Sequence, residues 1–297
     1  MSHKPSLVLN NLSKKKALFN ELKDNILAEA NALLELIDET IKVTINIVDN
    51  LEDNCAFNDV NTNGYVYYQG HHAFTINVLV SSLEDVKTDG GLTICSLLAH
   101  EFAHIRDKLN FLKSDLKFLK DVDKKPRTYK EFLRNVGYDF WTEFYAYRFM
   151  FKNFQEVPYS SFLNLVKQYE QLCEEKEKIA PLIIKSGKHD AKIRSYCENA
   201  FLFVYLIARF LAGDIYGKRK YYDYAESTKS KPSFKYVDRL VRIIVKRIKP
   251  MMNEKYGKRK AYAITNLGYS LMEEFYHKFN MYAIKKNNYF FFAVYDE

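Results

Sequence analysis

The run LLAHEFAHIRD, Leu97 to Asp107, sets His100 and His104 four residues apart with Glu101 beside the first. Four residues is about one helical turn, so both imidazoles share a face and can offer nitrogen to a single point. Glu101 lies one residue round the helix, within reach of a water at that point and poorly placed to be a ligand. This is the content of HExxH: two metal ligands and a general base on one turn. Zinc (Zn2+) suits imidazole donors and activates water without redox chemistry. The plainer alternative is a pair of core histidines hydrogen-bonded to nearby backbone. Leu92, Ile94, Leu97, Leu98, Ala99, Phe102, Ala103 and Ile105 make the helix apolar on almost every side, which predicts burial. Two histidines and a glutamate inside such a helix are costly without partners, and a metal supplies them.

A catalytic zinc takes three protein ligands and keeps one position open. The other histidines are His3, His71, His72, His189 and His277, and none follows His104 at short spacing. The third ligand is therefore expected to be a carboxylate. Glu143, in DFWTEFYAYRFM, is the choice: it sits in an aromatic, apolar helix where an unpaired carboxylate is expensive, and far enough on for the chain to reverse. Asp139, Glu131 and Asp107 compete for the place. Asp139, one turn before Glu143, fits better as an acceptor for a ligand imidazole N–H.

These side chains need elements to carry them. Leu18, Leu22, Ile26, Leu33, Leu34 and Ile37 recur at helical spacing between about Ser13 and Thr40. KVTINIVD, GYVYYQG and AFTINVLVSS then read as strands, the last two joined across Gly70 to His72 as a hairpin or tight connection. A turn at KTDGG precedes the motif helix, which starts near Leu92. Pro126 interrupts the pattern, a helix follows from Tyr129 to Asn153, and Pro158 marks a boundary. From there to about Asn280 the chain reads as helical. The tail YFFFAV is either a short strand or an apolar anchor. The expected fold class is α+β: a minimal zincin-like domain over residues 1–155, with a small sheet, the HExxH helix and a third-ligand helix. A basic, mainly helical accessory domain over 156–297 completes it.

A helix with HExxH after a small sheet, then a separate helix with ExxA, resembles the gluzincin branch of the zincin metallopeptidases. Within it the pattern is most similar to the ImmA/IrrE-type peptidases of phages and mobile elements, HExxH followed by ExxAxxF. Here that falls on His100, Glu101 and His104, then Glu143, Ala146 and Phe149. The resemblance implies zinc and hydrolysis of peptide bonds in an intracellular protein substrate. In that chemistry a zinc on His100, His104 and Glu143 lowers the pKa of a water, and Glu101 takes its proton. The developing oxyanion needs a further donor. Tyr138, Tyr145, Tyr147, His71 and His72 are eligible by type, and Tyr147 shares a helical face with Glu143. Among 23 tyrosines a core ring is the plainer reading. In zincins an edge strand before the motif helix pairs with extended substrate. Phe74, Thr75, Ile76, Asn77 and Val78 would hold the peptide in that way, unless their strand is a buried central one.

Composition bounds the rest. The N-terminal residues lack the unbroken apolar segment of a secretory signal. The run Phe201 to Gly213 contains Arg209 and falls short of the ~20 residues that cross a bilayer, so no membrane partner is expected. Cys55, Cys95, Cys173 and Cys197 are scattered without a CxxC pair, which suits a reducing, cytoplasmic setting. Lys and Arg number 19 against 21 Asp and Glu over residues 1–155, and 26 against 16 over 156–297, so the net charge of +8 belongs to the second part. Lys235 to Lys249 splits into an apolar face (Val237, Leu240, Val241, Ile244, Ile248) and a cationic stripe (Lys235, Arg239, Arg242, Lys246, Lys249). The stripe could track the phosphates of a nucleic acid, though most charged helix faces are simply solvated. The repeated YGKRK suggests helix C-caps at Gly217 and Gly257.

Overall fold

The computed structural model describes residues 5–37, 40–51, 64–70, 72–84, 90–154, 161–186, 191–217 and 226–294. The chain forms two compact units, Met1–Asp107 with Phe149–Val157, and Lys108–Arg148 with Pro158–Glu297. The protein is α+β, with a small mixed sheet and a helical C-terminal region.

The first unit holds a four-stranded sheet in the order β1-β2-β4-β3, from β1 (Ser6–Asn11), β2 (Lys42–Val48), β3 (Gly64–Gly70) and β4 (Ala73–Leu79). β1 and β2 are parallel, as are β2 and β4, while β3 runs antiparallel to β4 as the hairpin reading expects. Helix α1 (Lys16–Glu35) makes the crossover from β1 to β2, burying Leu22, Ile26, Ala30, Leu33 and Leu34 along one stripe. One face of the sheet is core: Val43, Ile45, Ile47, Phe74, Ile76 and Val78 are all at most 1% exposed. The other face carries a polar row that crosses every strand. The Asn10 side-chain amide donates to Asn46 (3.0 Å), Asn46 to Asn77 (2.9 Å), and Asn77 to the Tyr65 hydroxyl (2.7 Å). Because these four residues are also backbone partners, the ladder fixes the register of the sheet. A single turn, α2 (Ser81–Glu84), follows β4.

Helix α3 (Leu92–Ser114) carries the HExxH residues and α5 (Tyr129–Asn153) carries Glu143; α4 (Leu116–Val122) lies between them in sequence. Helix α5 begins where a capping box dictates. The Thr128 hydroxyl accepts the Glu131 N–H (3.2 Å), and the Glu131 carboxylate accepts the N–H groups of Arg127 (2.7 Å) and Thr128 (3.3 Å).

In the second unit α6 (Phe162–Ser186) packs on α7 (Ala191–Gly217), and α9 (Pro232–Asn253), after the short α8 (Glu226–Lys229), packs on α10 (Lys258–Leu271). The apolar face expected for α9 is in place, with Val237, Leu240, Val241, Ile244 and Ile248 at most 1% exposed. Helix α10 continues into a π-helical turn, Met272–Tyr276, then a 3-10 turn. The tail YFFFAV is a strand: β5 (Met281–Lys286) and β6 (Tyr289–Val294) form an antiparallel hairpin across Asn287 and Asn288, both at positive φ. Helix α5 meets α10 backbone to backbone, because a Cβ on Gly137 would lie 1.9 Å from the Ile264 carbonyl oxygen and one on Gly268 1.8 Å from that of Leu133.

Three expectations change. The strand Ser6–Asn11 has no counterpart in the sequence reading. Gly257 does not end a helix; at φ 139° it precedes the first turn of α10, so Lys258, Arg259 and Lys260 open that helix. The apolar run Phe201 to Gly213 belongs to a longer helix, whose segment Ala191–Gly213 has the length and mean hydropathy (1.2) of a membrane span; 56% of it is buried within the fold, as in a core helix.

Candidate metal centre

Helix α3 carries the paired imidazoles. Gly90 and Gly91, both at positive φ, turn the chain into α3, and the Gly91 carbonyl accepts the N–H of Cys95 (3.0 Å). Ile94, Leu98, Ala99, Phe102, Ala103, Ile105 and Leu109 are buried around the helix, as its composition predicts. His100 and His104 approach through their Nε2 atoms at 3.0 Å, the rings nearly perpendicular at 80°. Two nitrogens that close cannot both carry a proton. They share one proton between them or share a cation. A tetrahedral zinc with bonds of about 2.0–2.1 Å holds two nitrogens roughly 3.4 Å apart, so a small ring rotation converts the pair to ligands. Glu101 is 3% exposed.

Helix α5 carries the carboxylates. Phe140, Trp141 and Phe144 anchor α5 in the core, each at most 1% exposed, and leave Glu143 half-buried. Asp139 keeps solvent contact at one turn's remove. Desolvation by the groups packed around it, and then the charge of Glu143, push its carboxyl up to about 7. Among the described residues, His100, His104 and Glu143 are the group able to hold a metal ion, with one ligand atom from each within 4.8 Å of the others.

Protein-family models, curated proteins and solved structures, each searched, contain no match to this chain. The functional reading therefore stands on the side chains themselves.

The competitors for the third position are accounted for in part. Glu131 caps α5, and its bonds to the Arg127 and Thr128 backbone hold its carboxyl below the usual range. Asp107, fully buried on α3, and Asp139 fall outside the three-residue group. Each eligible oxyanion donor among the described residues has packing or backbone partners of its own. The ring of Tyr147 lies under the Arg209 guanidinium at 5.6 Å. Tyr138 packs edge-on to Phe111 and Phe118, and Tyr145 tilts against Trp141. His72 occupies the β3–β4 turn at φ 59°, where its carbonyl accepts the Lys42 N–H (3.0 Å); His71 lies outside the described residues.

One expectation is corrected. Phe74, Thr75, Ile76, Asn77 and Val78 line β4, which is paired with β2 on one side and β3 on the other. Both rows of its backbone groups are used, so no extended peptide can add to it. The outermost strand on that side of the sheet is β3. A residue absent from the sequence reading also enters. Tyr276, in the π-helical turn, is buried, and burial followed by the charge of Asp139 raises its hydroxyl pKa. Nothing in the spacing of the chain links positions 139 and 276.

Proposed function

We propose that this chain is a zinc-dependent metallopeptidase of gluzincin type that hydrolyses peptide bonds in a protein substrate in the cytoplasm. The observation that carries the reading is the grouping of His100, His104 and Glu143, two nitrogens and a carboxylate oxygen, with a further glutamate next to the first ligand. That donor set is the one zinc prefers when a position is left for chemistry. Zinc bound there supplies Lewis acidity and a water whose pKa is brought toward ~7. Glu101 accepts the proton of the attacking water and returns it to the departing amine. Glu143 and the two imidazoles keep the ion placed, and Asp139 is assigned as the acceptor for a ligand imidazole N–H. Tyr147 is the donor assigned to the developing oxyanion. An extended substrate pairs with the outer edge of β3, since β4 has no open edge.

Native mass spectrometry with metal analysis, on wild type and the Glu143→Ala, His100→Ala and Glu101→Gln variants, tests the ligand set. One zinc is expected in wild type and in Glu101→Gln, and loss of it in the other two. Cleavage of unfolded casein by zinc-loaded wild type, abolished by a chelator and by Glu101→Gln, is expected in the same preparations. A zinc-loaded wild type that cleaves no unfolded protein, or Glu143→Ala that keeps full occupancy, removes the proposal.

A further inference from the structure

The fold sorts charge more sharply than the linear sequence does. The first unit carries 9 Lys/Arg against 16 Asp/Glu, a net −7, and the second 36 against 21, a net +15. Within the second unit the excess concentrates where α9 turns into α10. From Lys246 to Tyr269 there are seven cations, Lys246, Arg247, Lys249, Lys255, Lys258, Arg259 and Lys260, against one carboxylate, Glu254.

Two of the seven are engaged. The Arg247 Nε donates to the Ser270 hydroxyl (3.0 Å), and Lys260 is buried with its Nζ 3.8 Å from the Tyr256 ring centre and 4.3 Å from that of Trp141. The other five are exposed and form no ion pair among the described residues. By contrast Arg239 and Arg242, earlier on α9, are paired with Glu274 and Asp238. Two of the five cations of the stripe read from the sequence are thus neutralised, and apart from Lys235 the open charge lies at its C-terminal end and beyond it.

Two exposed aromatic rings stand on the same helix as Lys258 and Arg259, with Lys258 one turn before the first. Tyr262 is 65% exposed and Tyr269 50%, Tyr269 lying within electrostatic reach of Tyr129. Seven residues apart on α10, they share a face two turns, or about 10 Å, along the helix. Most other large rings of this unit lie in its core. Exposed rings next to unpaired cations are the two components of a single-strand site: bases stack on the rings while the cations neutralise phosphates. An acidic protein would use the cations alone, and a duplex hides the faces of its bases.

We propose that this surface binds single-stranded nucleic acid, with Tyr262 and Tyr269 as stacking platforms and Lys246, Lys249, Lys255, Lys258 and Arg259 as the phosphate contacts. The site does not depend on the metal centre, so it stands or falls separately from the peptidase reading.

Fluorescence anisotropy on the full chain, with labelled dT20, rU20 and a 20-base-pair duplex over a range of salt, tests it. Tighter binding of a single strand than of the duplex is expected, with a log–log salt slope of about −3.5 if all five cations act. Preference for rU20 or for dT20 distinguishes RNA from DNA as the natural strand. Tyr262→Ala and Tyr269→Ala should each weaken single-strand binding by at least about fivefold, leave duplex binding unchanged, and be rescued by Phe at the same position. Lys258→Glu with Arg259→Glu should flatten the slope by roughly 1.4. Because these side chains are exposed, melting temperatures should stay at the wild-type value. Equal or tighter binding of the duplex, polyglutamate or phosphatidylserine vesicles overturns the proposal, as does retention of full affinity in both Tyr→Ala variants.

Discussion

The backbone-to-backbone crossing of two helices in the second unit offers a direct test of how the ligand helix is held. At the α5–α10 crossing the ideal Cβ of an alanine at position 137 would lie 1.9 Å from the carbonyl oxygen of Ile264 and 2.8 Å from the Gly268 nitrogen. Ordinary contacts of this kind begin at roughly 3.5 Å, so the helices must part by about 1.5 Å. The obstructing atoms are backbone, which no side-chain rotation can clear. Overpacking of this kind costs about 1–3 kcal/mol, and the severity of the overlap puts Gly137→Ala at or above the upper end. Replacing glycine inside a helix returns up to about 1 kcal/mol. The net expectation is a loss on the order of 2 kcal/mol, or about 3 °C in Tm when a chain of 297 residues melts as one unit.

Thermal and guanidinium unfolding of Gly137→Ala, Gly268→Ala and the double variant read this out. Gly268→Ala should cost a similar amount, since its Cβ meets the Leu133 carbonyl oxygen at 1.8 Å. The double variant should cost less than the sum, because helices already parted for one methyl have room for the other. Glu143 lies six residues beyond Gly137 on the same helix, so zinc affinity should fall with the shift, as ligand placement tolerates only about 0.5 Å. A Tm for Gly137→Ala that is unchanged or higher would refute the crossing geometry, since it would mean that helix propensity outweighed a clash absent in solution.

Smaller perturbations probe the other supports. Thr128→Ala should destabilise by about 1 kcal/mol in urea titration, by opening the capping box of α5. Glu131 has a lowered folded pKa, so its contribution is present above its ordinary value of 4.5 and lost as pH falls through the folded pKa; Glu131→Gln should remove that acid-side dependence from the stability profile. Asp139 is shifted the other way, so the metal-free native state holds its proton longer than the unfolded chain. Stability should therefore decline as pH rises from about 3.8 to about 7 and level off above, and Asp139→Asn should flatten that window in melts recorded with chelator. Asn46→Ala breaks the polar row in the middle, stranding the Asn10 amide and the Asn77 carbonyl; a loss of about 1–3 kcal/mol in denaturant is expected, and a neutral result would mean water replaces both bonds.

Local rules made much of this protein legible. The helix Tyr129–Asn153 could be read from Pro126 before it and Pro158 after it, both within a few residues of its ends. The motif helix was legible for the same reason. What escaped depended on residues far apart. The strand Ser6–Asn11 is short, and half-exposed along much of its length. It exists because β2 offers it a parallel partner across an intervening helix. The parallel pairing of β2 with β4, together with the β3 hairpin, puts β4 in the middle of the sheet, which the alternation of AFTINVLV could not reveal, since a buried edge and a buried centre have the same apolar run. Gly257 was ambiguous in kind: a glycine beside a cationic cluster can end one helix or begin the next, and its backbone φ decides.

The metal centre divides along the same line. A histidine pair four apart is a statement about one turn of helix, and the 3.0 Å between the Nε2 atoms follows from that turn alone. The same distance suits two imidazoles sharing a proton, so the pair by itself does not distinguish a ligand set from a hydrogen bond. The discriminating donor is Glu143, and no periodicity connects it to His100. What pointed to it in the sequence was energetic: a carboxylate set among Phe140, Trp141 and Phe144 is costly to leave without a counterpart, and the structure leaves it half-buried. The cost of leaving such a group alone singles out a residue whatever the element that carries it. That cost reaches across the forty-odd residues where pattern reading stops.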